Sequence, residues 1–392
     1  MIVPTLIKTY NKHGSVRELN ADQLLSIARR RSKLDDFGDM RFLDGLKALV
    51  DSANHDARLT PFGSWVMRLT ITRQLVNRLI WVQGQSTQKQ FFETPLHAPL
   101  IVTGQPRSGT TLLHRLLSLD PNHRGVAAYE VFYPFAWQPK KLRRRRAQFS
   151  LALLSAASPD LVKKHAMFAD TPEEDTAVMA QSFLSYAWWG FGPFYGYIDW
   201  LMSQDEARAY QEYASFLPLF QSLDLDRRLV LKSPVHTPNT DLLRKYIPNA
   251  MIVQTHRDPV DVIPSMTSLA LSLHTKTAEV NAAETARFHI KMQSEVMRRN
   301  LANKAADPGS VQDVFYPDLL RDPHLVVRSI YERYHLDWPN DLDQKISDYL
   351  TENRQGKHGA HHYAASDFGI TDSEIKKAFS DYLSTYRDQL SH

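Results

Sequence analysis

Between Pro99 and Leu119 the chain reads PLIVTGQPRSGTTLLHRLLSL, and that order of residues admits few local structures. Leu100, Ile101 and Val102 form a largely β-branched apolar run that ends at Gly104, which predicts a buried strand. Beyond Gly109, Leu112, Leu113, Leu116 and Leu117 recur at helical spacing. A strand that feeds straight into a helix start presents free backbone N–H groups and the positive end of the helix dipole, and such a turn favours an anion. Arg107, Ser108, Thr110 and Thr111 add side-chain donors around the bend at Gly109. The fold this predicts is α/β, with a P-loop type central parallel sheet flanked by helices and an N-terminal helical layer.

The spacing Gly104, four residues, Gly109, Thr110, Thr111 comes within one residue of the nucleotide-triphosphatase pattern GxxxxGK[ST], the lysine being replaced by Thr110. A triphosphatase uses that lysine on the β- and γ-phosphates, together with Mg²⁺ held by the loop hydroxyl and an acidic strand end. No apolar strand ending in an acidic residue stands out in this chain. The loop cation is instead Arg107, two residues before Gly109, which points to a phosphate-bearing donor whose transferred group is handled by arginine or lysine without a metal. The alternative is a P-loop kinase, or a non-catalytic nucleotide-binding regulator, that lacks the loop lysine.

Two later segments repeat the strand-to-cation pattern. RLVLKSPVHTPN, residues 228 to 239, is an apolar strand running into Lys232, Ser233, Pro234 and His236. AMIVQTHRDPVDVIPSM, residues 250 to 266, is another, running into Arg257, Asp258, Pro259 and a helix that carries Ser265. An open α/β sheet places its ligand outside such strand ends. With these residues the chain resembles the sulfotransferases that use 3′-phosphoadenosine 5′-phosphosulfate (PAPS). Its PRSGTT turn is similar to their 5′-phosphosulfate loop, involving Arg107, Ser108, Gly109, Thr110 and Thr111. Arg257 with Ser265 eight residues on resembles their pair of 3′-phosphate ligands. Tyr316, in VFYPDLLRDP, looks like their strand-end tyrosine near the adenine. Arg354 and Lys357, in NRQGKHGAHHY, look like the basic loop that closes over the 3′-phosphate. PRSGTT and the Lys-x-Pro of Lys232 to Pro234 are closer to the tyrosylprotein, glycan and bacterial enzymes than to the cytosolic phenol and steroid enzymes.

The resemblance implies PAPS as co-substrate, no metal, and in-line transfer of a sulfuryl group to a hydroxyl, less readily an amine, of a small, lipid-like or glycan acceptor. Fixed cations placed where charge develops supply a large catalytic term, a task that suits Arg107 and Lys232. Arginine gives up no proton, so Arg107 acts by charge alone. Three candidates for the base remain open. Glu130, in AAYEVF, is similar in placement to the catalytic glutamate of tyrosylprotein sulfotransferases. His236 follows Lys232, and an imidazole is a side-chain type suited to accepting a proton. His165 lies in HAMFADTPEED, on the acceptor side.

Residues 1–95 carry helical apolar spacing and are expected to pack as a helical region on the α/β sulfotransferase domain, residues 96–392. Further helices are expected at 172–186, 203–222, 237–247, 259–272, 277–302, 318–334, 341–353 and 371–388. Glu173, Glu174 and Asp175 would open the first of these, where carboxylates complement the dipole. The aromatic stretch from Tyr186 to Trp200 suits a ring-bearing or lipid ligand, and equally a filled core or a homodimer interface.

A formal charge of +4 with pI near 9.0 is mild, and no basic face interleaved with aromatics marks a nucleic-acid partner. One dense cluster, Lys140, Lys141, Arg143, Arg144, Arg145 and Arg146, precedes the apolar stretch FSLALLSAA. It reads as a solvated helix face or as a peripheral contact with a membrane surface. The absence of cysteine excludes thiolate catalysis and disulfide staples. No signal-peptide pattern and no run of eighteen apolar residues is present, so a soluble cytoplasmic enzyme is expected.

Overall fold

The structure is a computed structural model that describes residues 2–157, 167–353 and 363–390. Its sheet is built from β1 (Leu100–Gly104), β2 (His123–Gly125), β3 (Arg228–Lys232), β4 (Met251–His256) and β5 (Gln312–Phe315), lying in the order β2-β3-β1-β4-β5. All pairings are parallel, with Val102 opposite both Lys232 and Val253. Every strand therefore ends at the same edge. The chain leaves β1 for the edge strand β2, returns through β3, and crosses to β4 on the other side of β1. That reversal opens a crevice at the end of β1, where this class of sheet binds ligands. The three-residue β2 is too short to show a period and gave no sign of itself in the sequence.

Alternation along the strands divides the core. Leu100, Val102, Val230 and Val253 pack with Leu113, Leu116 and Leu117 of the loop helix and with Val327 and Ile330 of the helix Pro323–Tyr334. Ile101, Leu229, Leu231 and Ile252 pack on the other face against Phe216, Leu217 and Phe220 of the helix Ala207–Gln221. Residues before the sheet form the helices Ile2–His13, Ala21–Ser32, Phe42–His55, Pro61–Thr87 and the single turn Lys89–Phe92. Their apolar faces join a third cluster in which Leu46 and Leu75 meet Phe183, Trp188 and Tyr197, and which continues through Ile263 and Met297 to Phe368 and Tyr382. Of the aromatic stretch, Tyr186, Trp188, Phe194 and Tyr197 are buried core.

The expected helix 172–186 does not form. Only Thr176–Met179 is α-helical, followed by 3₁₀ turns at Ala180–Ser182 and Tyr186–Phe191. Side-chain bonds outcompete the helix there: Thr176 shares a 2.7 Å hydrogen bond with the Ser233 hydroxyl, and Tyr213 donates to Asp175 at 2.6 Å. The expected helix 318–334 is interrupted at Asp322, whose carboxylate caps Leu325 N–H at 2.9 Å while Pro323 opens the next helix. The segment expected as one helix over 371–388 is three short ones, Asp372–Ala378, Ser380–Thr385 and Arg387–Leu390.

One buried ion pair ties the N-terminal helices to the sheet layer. Arg78 is fully buried and donates to both Glu212 oxygens at 2.8 and 3.0 Å and to the Phe37 and Asp39 carbonyls at 2.9 and 3.0 Å, with its guanidinium 4.4 Å from the Phe42 ring centroid. Arg78→Ala leaves the buried Glu212 carboxylate with Arg208, 3.3 Å away, as its remaining ion-pair partner among the described residues, and is expected to cost about 3 kcal/mol of unfolding free energy, read by urea denaturation. Arg78→Ala with Glu212→Ala should recover part of that loss, because no uncompensated charge is left.

Candidate active site

The turn after β1 takes its shape from backbone that few residues tolerate. Gly104 has φ +134°, and a Cβ there would lie 2.4 Å from the Thr255 carbonyl and hydroxyl oxygens, so only glycine lets β1 end this close to β4. Arg107 itself sits at φ +69°, a left-handed conformation unusual outside glycine. Ser108 is turned inward, donating to Gln105 O at 2.5 Å and sharing a 2.6 Å bond with the Thr255 hydroxyl; it fixes the loop onto β4. Gly104 N–H is held by the Thr237 hydroxyl at 3.0 Å, which also bonds Thr103 at 3.0 Å. Gly109 precedes the helix Thr110–Leu117, and Tyr316 packs so closely on it that a Cβ would meet the ring at 2.9 Å.

Three cations reach this loop. Arg107 as a whole is exposed, but its guanidinium turns inward to Ser265, donating from Nε to the hydroxyl at 3.1 Å. Burial of that group, and then the like charge of Arg257, lower its pKa from the ordinary arginine value. Arg257, directly after β4, donates to the Arg107 carbonyl at 3.1 Å, pairs with Asp261 at 3.2 Å, and lies 4.3 Å from the Tyr316 ring centroid. Asp258 caps the following helix, Pro259–His274, through Val260 N–H at 2.8 Å, and this helix carries Ser265 back over the loop. The third cation is Lys232, the last residue of β3.

Lys232 shows the feature that sequence reading missed. Its Nζ donates to Glu174 at 2.6 Å and to the Thr111 hydroxyl at 3.4 Å. The lysine side chain is 2% exposed and the glutamate 29%, so the pair lies at the boundary between core and crevice. The neighbouring Asp175 turns the other way, into the core. There Tyr213 donates to it at 2.6 Å and His236 Nε2 lies 3.3 Å away. Burial raises the Asp175 pKa, but the His236 and Tyr213 contacts outweigh it and hold the carboxyl below its usual range.

The sequence candidates therefore fall in different surroundings. Arg107, Thr111, Lys232, Arg257, Ser265 and Tyr316 come together around the ends of β1, β3, β4 and β5, with Gly109 and Thr110 at the loop helix start. Glu130 does not join them. One of its oxygens accepts from Arg124 at 2.8 Å and from Ala127 N–H at 3.0 Å, the other from Tyr129 at 2.9 Å, and the carboxylate is buried. That is the bonding of a helix-start brace. His236 is fully enclosed by Tyr210, Tyr213 and Asp175, one layer behind Lys232. His165, Arg354 and Lys357 lie outside the described residues. Glu174 had a weak signal in the sequence: an acidic triplet, read there as the start of a helix.

The sulfotransferase family profile matches residues 99–340, a span that contains the loop with Arg107 and the two strand-end cations, Lys232 and Arg257. The chain belongs to the sulfotransferase family. Two curated relatives, the omega-hydroxy-beta-dihydromenaquinone-9 sulfotransferases Stf3 of Mycobacterium bovis and Mycobacterium tuberculosis, are each 24% identical over 301 residues, covering 72% of this chain and 74% of theirs. Among solved structures, sulfotransferase STF1 from M. tuberculosis aligns with TM-score 0.78 and 29% identity, covering 94% of this chain and 100% of that one. Sulfotransferase STF9 from Mycobacterium avium aligns with TM-score 0.82 at 24% identity, over 95% of this chain and 97% of that one.

Proposed function

We propose that this sulfotransferase draws its sulfuryl group from PAPS and delivers it to the hydroxyl of a lipid-like molecule. The observation that carries the donor is the convergence of cations and a helix start on one crevice: Arg107 and Thr111 on the loop, Lys232 on β3, and Arg257 beside Tyr316 beyond β4 and β5. Two anionic groups of one nucleotide need two such sets. The loop helix N-terminus with Arg107 suits the 5′-phosphosulfate, and Arg257 with Ser265 suits the 3′-phosphate. The fully buried Gln105 amide, with neither polar atom partnered among the described residues, lies within the same turn and leaves it hydrogen-bonding capacity. The acceptor class rests on the curated relatives, whose names give a menaquinone-derived lipid bearing a terminal hydroxyl.

In the transfer, the acceptor oxygen forms a bond to sulfur as the bond from sulfur to the bridging phosphate oxygen breaks. Lys232 carries the charge that grows on that bridging oxygen. Glu174, released from Lys232 as the ammonium turns to the donor, accepts the acceptor proton; it is partly exposed and, unlike Glu130 and His236, opens toward the crevice. Adenosine 3′,5′-bisphosphate (PAP) leaves with the negative charge.

Donor identity is tested by binding alone. PAP is expected to raise the melting temperature without Mg²⁺, by ligand linkage, and ATP with Mg²⁺ to leave it nearly unchanged. Arg257→Ala should weaken PAP by about 1.5–3 kcal/mol and adenosine 5′-phosphosulfate far less, since only the former has a 3′-phosphate. Equal weakening toward both nucleotides, measured by calorimetry, places Arg257 elsewhere and defeats the assignment.

A further inference from the structure

The basic cluster noted in the sequence is not used by the crevice. It begins the helix Lys140–Ala157, which has no acidic residue and whose described side chains bury one stripe, Arg143, Ala147 and Leu151. Arg143 is taken inward, 5.4 Å from the Tyr129 ring centroid, and Arg144 pairs with Asp170 at 2.7 Å. Leu142, Arg145 and Phe149 lie on the opposite face at helical spacing, flanked by Lys141, and Phe149 is 74% exposed. Among the described residues, no carboxylate pairs with Lys141 or Arg145.

This face is larger than one helix. The helix Ile2–His13, which also has no acidic residue, packs against both Lys140–Ala157 and the start of Pro61–Thr87. It leaves Leu6 and Tyr10 exposed one turn apart, while Lys8 and Lys12, each two residues on, are exposed on the far side of the same helix. Trp65, stacked on Phe62 with ring centroids 5.8 Å apart, is exposed on the neighbouring helix, and Phe62 N–H is bonded to Asn11 at 2.9 Å. Phe168, also exposed, follows on a segment packed on the buried stripe through Ala169.

We infer that this face docks the protein onto the surface of an anionic lipid bilayer. Exposed aromatic and leucine side chains interspersed with lysine and arginine, and no carboxylate on either helix, match the interfacial zone, where rings sit at headgroup depth and cations meet lipid phosphates. A nucleic-acid partner would leave the leucines and phenylalanines without a role, and a second copy would bring like charge against like charge. Among the described residues no helix is long and apolar enough to cross a membrane, so the contact is at the surface. Phe168 and Glu174 are six residues apart in the chain, which keeps this edge of the docked face within about 20 Å of Glu174. The inference stands without the donor assignment.

The test is co-sedimentation of the purified full chain with vesicles of phosphatidylcholine and phosphatidylglycerol in equal parts, and with phosphatidylcholine alone, at low and high salt. Binding is expected to the anionic vesicles at low salt and to fall on raising salt, as screening shortens the reach of surface charge. Lys141→Gln with Arg145→Gln should weaken partition about thirtyfold, from roughly a fivefold factor for each basic side chain at an anionic surface. Phe149→Ser should weaken the binding that persists at high salt. Both variants alter exposed side chains, and an unchanged melting temperature certifies that they are folded. Equal binding to both vesicle types, no binding to the anionic ones, or a concentration-dependent dimer that Phe149→Ser dissolves would each overturn the inference. Sedimentation is read without turnover, so its failure leaves the transfer reaction untouched.

Discussion

Glu174→Gln is expected to lower kcat on a hydroxyl-bearing lipid acceptor by about 10²–10⁴-fold while PAP affinity changes little. The amide keeps the size of the carboxylate and can still accept from Lys232, so the 2.6 Å contact and the surroundings of the crevice survive. What it loses is the capacity to take a proton. A group that only held Lys232 in place would show the opposite pattern, with turnover spared and stability lowered. Glu130→Gln and His236→Asn serve as contrasts. Glu130 answers the buried Arg124 guanidinium, and His236 is enclosed by two tyrosines and Asp175, so both changes should read out first as a lower melting temperature. Near-normal turnover in Glu174→Gln, on an acceptor that the parent enzyme sulfates, would sink Glu174 as the base.

The loop was legible because its chemistry is local. Leu100 to Val102, the glycines at 104 and 109, and the leucines beyond them lie within one short stretch, and each enforces a different backbone state. Lys232, Arg257 and Tyr316 were legible for a related reason: Lys232 ends its strand and the other two directly follow theirs, so finding the strand finds the side chain. Parallel strands then bring those ends together without further information from the sequence. Glu174 was hidden because its partner lies 58 residues on, and an acidic triplet ahead of a short apolar run looks the same whether it starts a helix or answers a lysine. Here the latter prevailed, because Lys232 and Tyr213 present buried groups whose desolvation a carboxylate offsets better than one helical turn would. Glu130 shows the converse. Its position after the loop helix matches a functional glutamate, while its two oxygens are taken by Arg124, Ala127 and Tyr129, contacts that depend on how β2 returns beneath the helix. β2 is the strand the sequence did not show.

Lys232→Ala is expected to lower kcat by about 10²–10³-fold, with kcat/KM falling in step and PAP affinity falling less. The reason lies in when the ammonium matters. Bound donor already has its phosphosulfate charge shared with the loop N–H groups and Arg107, whereas the bridging oxygen gains charge only as the sulfur bond breaks. Lys232, 2% exposed and 3.4 Å from the Thr111 hydroxyl, is held beside the loop, so the ammonium has only to turn from Glu174 to meet that charge. Lys232→Arg should not restore the rate, because a planar guanidinium does not fit a cavity closed around an ammonium. Combining Lys232→Ala with Glu174→Gln provides the sharper reading. If the two side chains serve one transition state, the double variant loses less than the product of the single losses. A Lys232→Ala enzyme that loses PAP affinity as strongly as turnover would make the lysine a ground-state ligand, and the transition-state role would have to pass to Arg107.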